Sequence, residues 1–254
     1  MGSERYTMQH TDLLRRADEL RRRSLDRAIV THTNFLTPAE QHVLLQMPHL
    51  RPALHLSGGG AEAERCVAFF LPDYLSSADF DPGDYLTAFH VRCRFVRPRH
   101  RDVLGSLLGL GLARWSVGDI HTVGEEAWFF CLPSVAGHIS AELTKIGRNG
   151  AQVQEIPLDL VPAPERVREE VSFTVSGLRL DAVLAGTFHL SRTQAAELIA
   201  AGAVQLNYAL CEKPAATVTP GDVFSLRGYG KACLREAGGK TRKDRTRVVV
   251  DRYV

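Results

Sequence analysis

The 254-residue chain reads as an α+β protein in three regions, and three patterns carry that reading. The first is an amphipathic helical stretch near the N-terminus, followed by a short capped helix and a glycine-centred hairpin. The second is a run over residues 85–158 whose elements alternate as β-α-β-β-α-β, the order of a ferredoxin-like sandwich with two helices on one sheet face. The third, after a linker, is a basic module with two capped helices and a small sheet. The expected boundaries are 1–84, 85–160 and 171–254.

In the first region Leu13, Ala17, Leu20, Ser24 and Ala28 recur at helical spacing and predict a helix over about 11–30. Arg15, Arg16, Arg21, Arg22, Arg23 and Arg27 fall mainly off that stripe. They make either a solvated face, as charge runs usually do, or an RNA-facing one. Thr37-Pro38-Ala39-Glu40 is a capping box with proline at the first helical position, which predicts a short helix to about Met47. Ser57-Gly58-Gly59-Gly60 marks a tight turn between strands at Ala53–Leu56 and Arg65–Leu71. No Gly-Lys-Ser/Thr follows it, so a phosphate loop is excluded. Residues 72–84, rich in Asp, Pro, Ser and Gly, read as a loop.

In the second region a strand over 86–96 puts Phe89, Val91, Cys93 and Phe95 on one face and His90, Arg92 and Arg94 on the other. A helix over about 99–111, strands near 116–123 and 126–131, a helix from Pro133 closed by Gly147 as a C′ glycine, and a strand over 151–156 complete the order. The order also suits an RRM-like sheet, whose face away from the helices binds bases. Here that open face would carry Arg92 and Arg94 as a secondary RNA face. Trp128, Phe129 and Phe130 are adjacent, so an aromatic must point there too. Residues 157–170 read as a linker.

Composition bounds what the chain can do. Apolar residues make up 44% and charged residues 24%, as in globular proteins with a sizeable core. The longest nearly apolar run, Val103 to Ala113, is too short to span a bilayer, and the polar N-terminus has no signal core. A cytoplasmic monomer is expected. Five scattered cysteines form no CxxC pair and no zinc-spaced cluster, so free thiols, no metal and no cofactor are expected. Net charge is +2 but uneven: residues 171–254 hold 12 Lys/Arg against 7 Asp/Glu, whereas residues 1–170 hold 19 against 22. A basic module on a mildly acidic body suits nucleic-acid contact.

That module is the informative part. Leu180, Val183 and Leu184 give its first helix an apolar stripe. Ser191 is a good N-cap, and Gln194 completes a capping box for the second. Gly202 sits where a C′ glycine belongs, and Thr219-Pro220-Gly221-Asp222 is a type II turn. The start of the second helix offers free N–H groups that favour phosphate, and Arg192 stands beside them with a planar fork matched to phosphate oxygens. Arg179, opening the first helix, can join it. The competing account pairs Arg179 with Asp181 or a nearby carboxylate and lays Arg192 along the helix surface. Lys240, Arg242, Lys243 and Arg245 cluster near the tip of an expected final hairpin (about 230–236 with 245–250), which can enter an RNA groove or stand solvated.

Arg179-Leu180-Asp181, then Ser191-Arg192-x-x-Ala195-x-x-Leu198-Ile199-x-x-Gly202-x-Val204-x-x-Asn207, then Pro220-Gly221-Asp222, resembles the S4-type (αL-like) RNA-binding domain. Asn207 is followed by Tyr208 where that pattern usually has glycine, which puts the turn type in question. Arg99 through Gly105, Gly118-Asp119-Ile120, Leu143 through Gly147, Ser57-Gly58-Gly59 with Glu64-Arg65, Arg227 through Lys231 and Gly239 through Lys243 are similar to the YlmH family of S4-domain RNA-binding proteins. The resemblance spans nearly the whole chain. It implies an RRM-like middle and a C-terminal S4 domain, with rRNA of the large ribosomal subunit and peptidyl-tRNA as partners, and a role in ribosome rescue and nascent-chain quality control. A cell-division link is associated with the family in some bacteria. The expected RNA-binding set is Arg179, Ser191, Arg192, Gln194, Arg227, Lys231, Lys240, Arg242 and Lys243, with no catalytic residue.

Two motifs invite enzymatic readings. His100-Arg101-Asp102 has the form of a kinase triplet, but the Asn required five residues after Asp is Leu107; Asp102 is expected to initiate a helix instead. Arg179-Leu180-Asp181 also looks like the catalytic triplet of pseudouridine synthases, but the flanks differ. An RNA-modifying enzyme, pseudouridine synthase-like or methyltransferase, with an accessory S4 domain is the rival reading, and a scaffold binding acidic proteins is a third.

Overall fold

The computed structural model describes residues 2–164, 168–240 and 244–253, with side chains described from residue 11 onward and not for Lys240. The chain divides into two compact units, residues 1–164 and 165–254.

The first unit opens with α1 (Gly2–Arg27), which buries Ala17, Leu20 and Ser24, the stripe read from the sequence. It stops earlier than expected, because Ala28 turns left-handed (φ +51°) and β1 (Thr31–Leu36) begins. That strand was not anticipated. Its inward positions are Thr31, Thr33 and Phe35, so threonines stand where an apolar alternation would have announced a strand. Thr31 Oγ1 donates to Leu20 O at 2.7 Å and Ser24 Oγ to Phe70 O at 2.8 Å, tying helix to sheet. Next come α2 (Pro38–Leu45), with the Thr37–Glu40 capping box formed, and then β2 (Leu54–Ser57) and β3 (Cys66–Phe70). The expected hairpin is thus the larger part of an antiparallel three-stranded sheet, ordered β1-β3-β2.

The same unit continues with β4 (Thr87–Cys93), α3 (His100–Gly109), β5 (Val117–Val123), β6 (Glu126–Cys131), α4 (Pro133–Glu142), β7 (Lys145–Ile146) and β8 (Asn149–Ile156). Their sheet is ordered β5-β6-β4-β8-β7, the ferredoxin-like arrangement with one added short strand. The addition corrects the end of α4. Lys145 and Ile146 pair with Gly150 and Asn149, so Gly147 (φ +60°) turns a hairpin rather than capping a helix. Phe89, Val91, Cys93 and Phe129 bury against Val103, Leu107 and Ile139 of the two helices.

The opposite sheet face, expected to be open, is covered at one end. Ala88, Phe130, Leu132 and Ile156 share a core with Phe35, Val67, Phe69 and Phe80, so residues 1–84 and 85–160 pack on each other through it. The approach is close enough to require glycines. A Cβ on Gly59 or Gly60 would stand 2.6 or 2.7 Å from the Phe130 ring, and one on Gly118 would stand 2.7 Å from Phe35. Arg65 fastens the seam by donating to the carbonyls of Val117 (3.2 Å) and Phe35 (3.1 Å), while Asp119 accepts from the N–H groups of Glu64 and Arg65.

The second unit is β9 (Arg168–Val175), α5 (Leu180–Phe188), α6 (Arg192–Ala200), β10 (Val204–Leu206), β11 (Ala209–Leu210), β12 (Val223–Leu226), β13 (Gly230–Lys240) and β14 (Thr246–Tyr253). Its antiparallel sheet is ordered β11-β10-β12-β13-β14-β9. Both helices bury Leu180, Val183, Leu184, Ala195 and Ile199 against Phe224, Leu234, Val248 and Val250. Residues 168–170, expected as linker, belong to β9 and pair with β14. The final hairpin is longer than expected, with Lys231 opposite Tyr253 at its open end.

Candidate nucleic-acid interface

The second unit sets its arginines by helix starts. Arg179 is the N-cap of α5, and Arg192 is the first residue of α6, directly after the Ser191 cap. Between them lies Asp181, in the first turn of α5, its side chain only 6% exposed. Arg179 grips it side-on, Nε to Oδ1 at 3.1 Å and Nη2 to Oδ2 at 2.9 Å. Arg192 reaches the same carboxylate, Nη2 standing 3.2 and 3.0 Å from its two oxygens. The two arginines do meet, as expected, but through a shared counter-ion. Arg179 pairs with Asp181, as the competing account has it; Arg192, however, is not laid along the helix surface.

The electrostatics follow. Hydrogen bonds from Arg179 first, then from Arg192, hold the Asp181 carboxyl below the usual carboxylate range despite its burial, and the same bond raises Arg179. Two guanidinium groups against one carboxylate leave a positive charge. Their side chains remain 47% and 54% exposed, and each guanidinium has five N–H donors, of which Asp181 uses only part. Asp181 therefore clamps the arginines in place without consuming them.

The other expected residues lie in separate settings. Ser191 and Gln194 serve the capping box: Ser191 Oγ accepts from Gln194 N at 3.1 Å, and Gln194 Oε1 accepts from Ser191 N at 3.0 Å. Arg227 is exposed beside a cleft with Gly202 and Gln205, its N–H donating to Ala203 O just past the far end of α6 from Arg192. Lys231 has its ammonium 5.2 Å from the ring centres of both Tyr208 and Tyr253. Lys240 ends β13; Arg242 and Lys243 lie outside the described residues. The question raised by Tyr208 is answered by the backbone. Asn207 (φ +49°) and Tyr208 (φ +67°) are both left-handed, so the tight turn is a type I′ turn despite the missing glycine. Asn207 Nδ2 donates to Asp222 Oδ1 at 2.8 Å, joining this turn to the one at Gly221 (φ +95°).

In the first unit Arg92 is exposed on the sheet face, next to His90, which stacks on Trp128 with ring centres 5.1 Å apart at 14°. Arg94 is not on that face. The strand ends at Cys93, and both Arg94 and Phe95 sit in the following turn, with Phe95 exposed rather than buried as alternation predicted. Asp102 starts α3 as expected, Oδ2 accepting from Arg99 N at 3.1 Å and Arg99 Nε at 3.0 Å. Among the described residues no group of three or more His, Cys, Asp or Glu could hold a metal ion, and no helix is long and apolar enough to cross a membrane.

Sequence reasoning missed the double capture of Asp181. Its signal was present in the eleven-residue interval from Asp181 to Arg192, but only the packing of α5 on α6 brings the two together.

Comparison with known proteins identifies the family. Residues 78–159 match a model described as the putative RNA-binding domain in YlmH, and residues 178–224 match the S4 domain. The chain is 36% identical over 225 residues to ribosome-associated protein quality control protein P2 of Bacillus subtilis, covering 87% of this chain and 86% of that protein. A solved structure, cell division protein YlmH from Streptococcus pneumoniae, aligns at a TM-score of 0.47 and 22% identity over 59% of this chain and 93% of its own. With the sequence match running through both units, the chain belongs to the YlmH family of S4-domain RNA-binding proteins.

Proposed function

We propose that the chain acts without catalysis, gripping rRNA of the large ribosomal subunit and peptidyl-tRNA in the quality control of obstructed ribosomes. The observation that carries this reading is the pair of half-exposed guanidinium groups fixed by Asp181 where α6 begins. The first turn of that helix has N–H groups the helix itself cannot satisfy, so phosphate oxygens meet a helix dipole and two oriented forks together. Such contacts read the shape and register of a backbone rather than its sequence. The ribosomal setting is supported by the relative's name, and a cytoplasmic monomer is the form that suits it. A non-enzymatic role is supported by Asp181. The Arg-Leu-Asp triplet that looks like that of pseudouridine synthases lies within the residues that match the S4 domain, and its buried carboxylate is bonded to two arginines.

The test is binding of the full chain to purified large subunits over a salt series. Arg192→Ala and Arg179→Ala should each weaken binding, and each should lower the salt slope by about one, with the fold intact by circular dichroism. Unchanged affinity and slope in both variants would remove the pair from the interface. A tritium-release assay on rRNA and tRNA addresses catalysis; release above background would replace this reading.

A further inference from the structure

The turn after β4 combines two features that the fold itself does not need. Phe95 is 93% exposed, and its backbone is left-handed at φ +64°. A bulky L-residue rarely adopts this conformation, which glycine or asparagine would take with less strain. Around it the sequence reads Arg92, Arg94, Arg97, Arg99 and Arg101. Arg97 and Arg99 line a cleft of about 450 Å³ with Arg148 from the β7–β8 turn. Asp102 answers only two of these charges, Arg99 at 3.0 Å and Arg101 at 3.9 Å. Among the described residues Arg92, Arg94, Arg97 and Arg148 have no ion-pair partner.

We infer that this turn is a second RNA contact, in which Phe95 stacks on an unpaired base while the neighbouring arginines hold the flanking phosphates. The chemistry selects this partner over others. A single aromatic among arginines presents too little apolar surface for stable membrane insertion, which takes a larger buried face. A ring open on both sides suits a flat base, and stacking tolerates any base identity. Paired bases are closed to it, so the target is a loop, bulge or single strand. Four unanswered guanidinium groups supply the charge complementarity. The inference rests on the chain binding RNA, but not on Arg179 or Arg192.

The probe is an RNA hairpin with 5-iodouridine in its single-stranded loop, bound to the full chain and irradiated. The crosslink is expected on the peptide containing Phe95. Phe95→Gly should weaken hairpin binding about tenfold, as loss of one base stack does, while the melting temperature stays level or rises because glycine accepts the backbone freely. Phe95→Trp should retain binding, and Arg97→Ala should lower the salt slope by about one. Tight binding by Phe95→Gly, or a fall in melting temperature that accounts for its loss, would overturn the inference. So would a Phe95-dependent association with phosphatidylserine vesicles that exceeds hairpin binding. If Arg192→Ala weakens the hairpin complex and Phe95→Gly does not, this contact alone fails; if the parent chain binds no RNA, the proposed function fails with it.

Discussion

At the scale of single residues the fold's polar economy turns on Asp181. A carboxylate that accepts four hydrogen bonds from two arginines is stabilising only while ionised. Its pKa is depressed, so its contribution is complete above the ordinary value of 3.8 and is lost as pH falls through the lower folded value. Asp181→Asn should therefore melt below the parent at neutral pH, and the gap should close under acid, as followed by thermal denaturation from pH 7 to pH 3. Asp181→Ala, which leaves the two guanidinium groups facing each other, should cost about 1–3 kcal/mol. The thiols behave differently. Burial pushes Cys66 and Cys131 up to about 12, so neither should react with a thiol reagent in the native state at neutral pH.

At the scale of elements, caps and turns were the most legible features. Thr37, Ser191 and Gly202 each stand where local chemistry put them, because a cap depends on only a few neighbouring residues. Ser191→Ala should lower stability by about 1 kcal/mol in a urea titration, and Ser191→Asn should restore most of it. Elements whose burial comes from elsewhere were harder to read. Strand β1 hid because threonines fill its inward positions, and β9 because Arg168, Glu169 and Glu170 resemble a solvated linker. Charged residues are what an edge strand carries, and β9 is the edge of its sheet. Strand β4 was read three residues past its end, since alternation continued beyond Cys93 while the backbone turned left-handed at Phe95. Of the candidate site, the two arginines and a pairing of Arg179 with Asp181 could be read from the sequence; that Arg192 shares the same carboxylate could not, because the sharing joins residues on two helices.

At the scale of the whole molecule the question is whether the two units act on one RNA. Arg192 and Phe95 lie in different units and share no partner, so their effects on free energy should add if a single RNA engages both. The double variant should then show the product of the two affinity losses in a titration with a long structured RNA. A double variant no weaker than the worse single one would mean that the two contacts serve alternative complexes.

The seam inside the first unit has a further consequence. With Phe130 lodged against Gly59 and Gly60, and Arg65 holding carbonyls from two strands, neither sheet can open without stripping the other's core. Amide protons of β1 and β4 should consequently exchange with deuterium at matching rates under native conditions, as one cooperative block. Gly59→Ala, by wedging a methyl group into the ring, should speed exchange in both strands together.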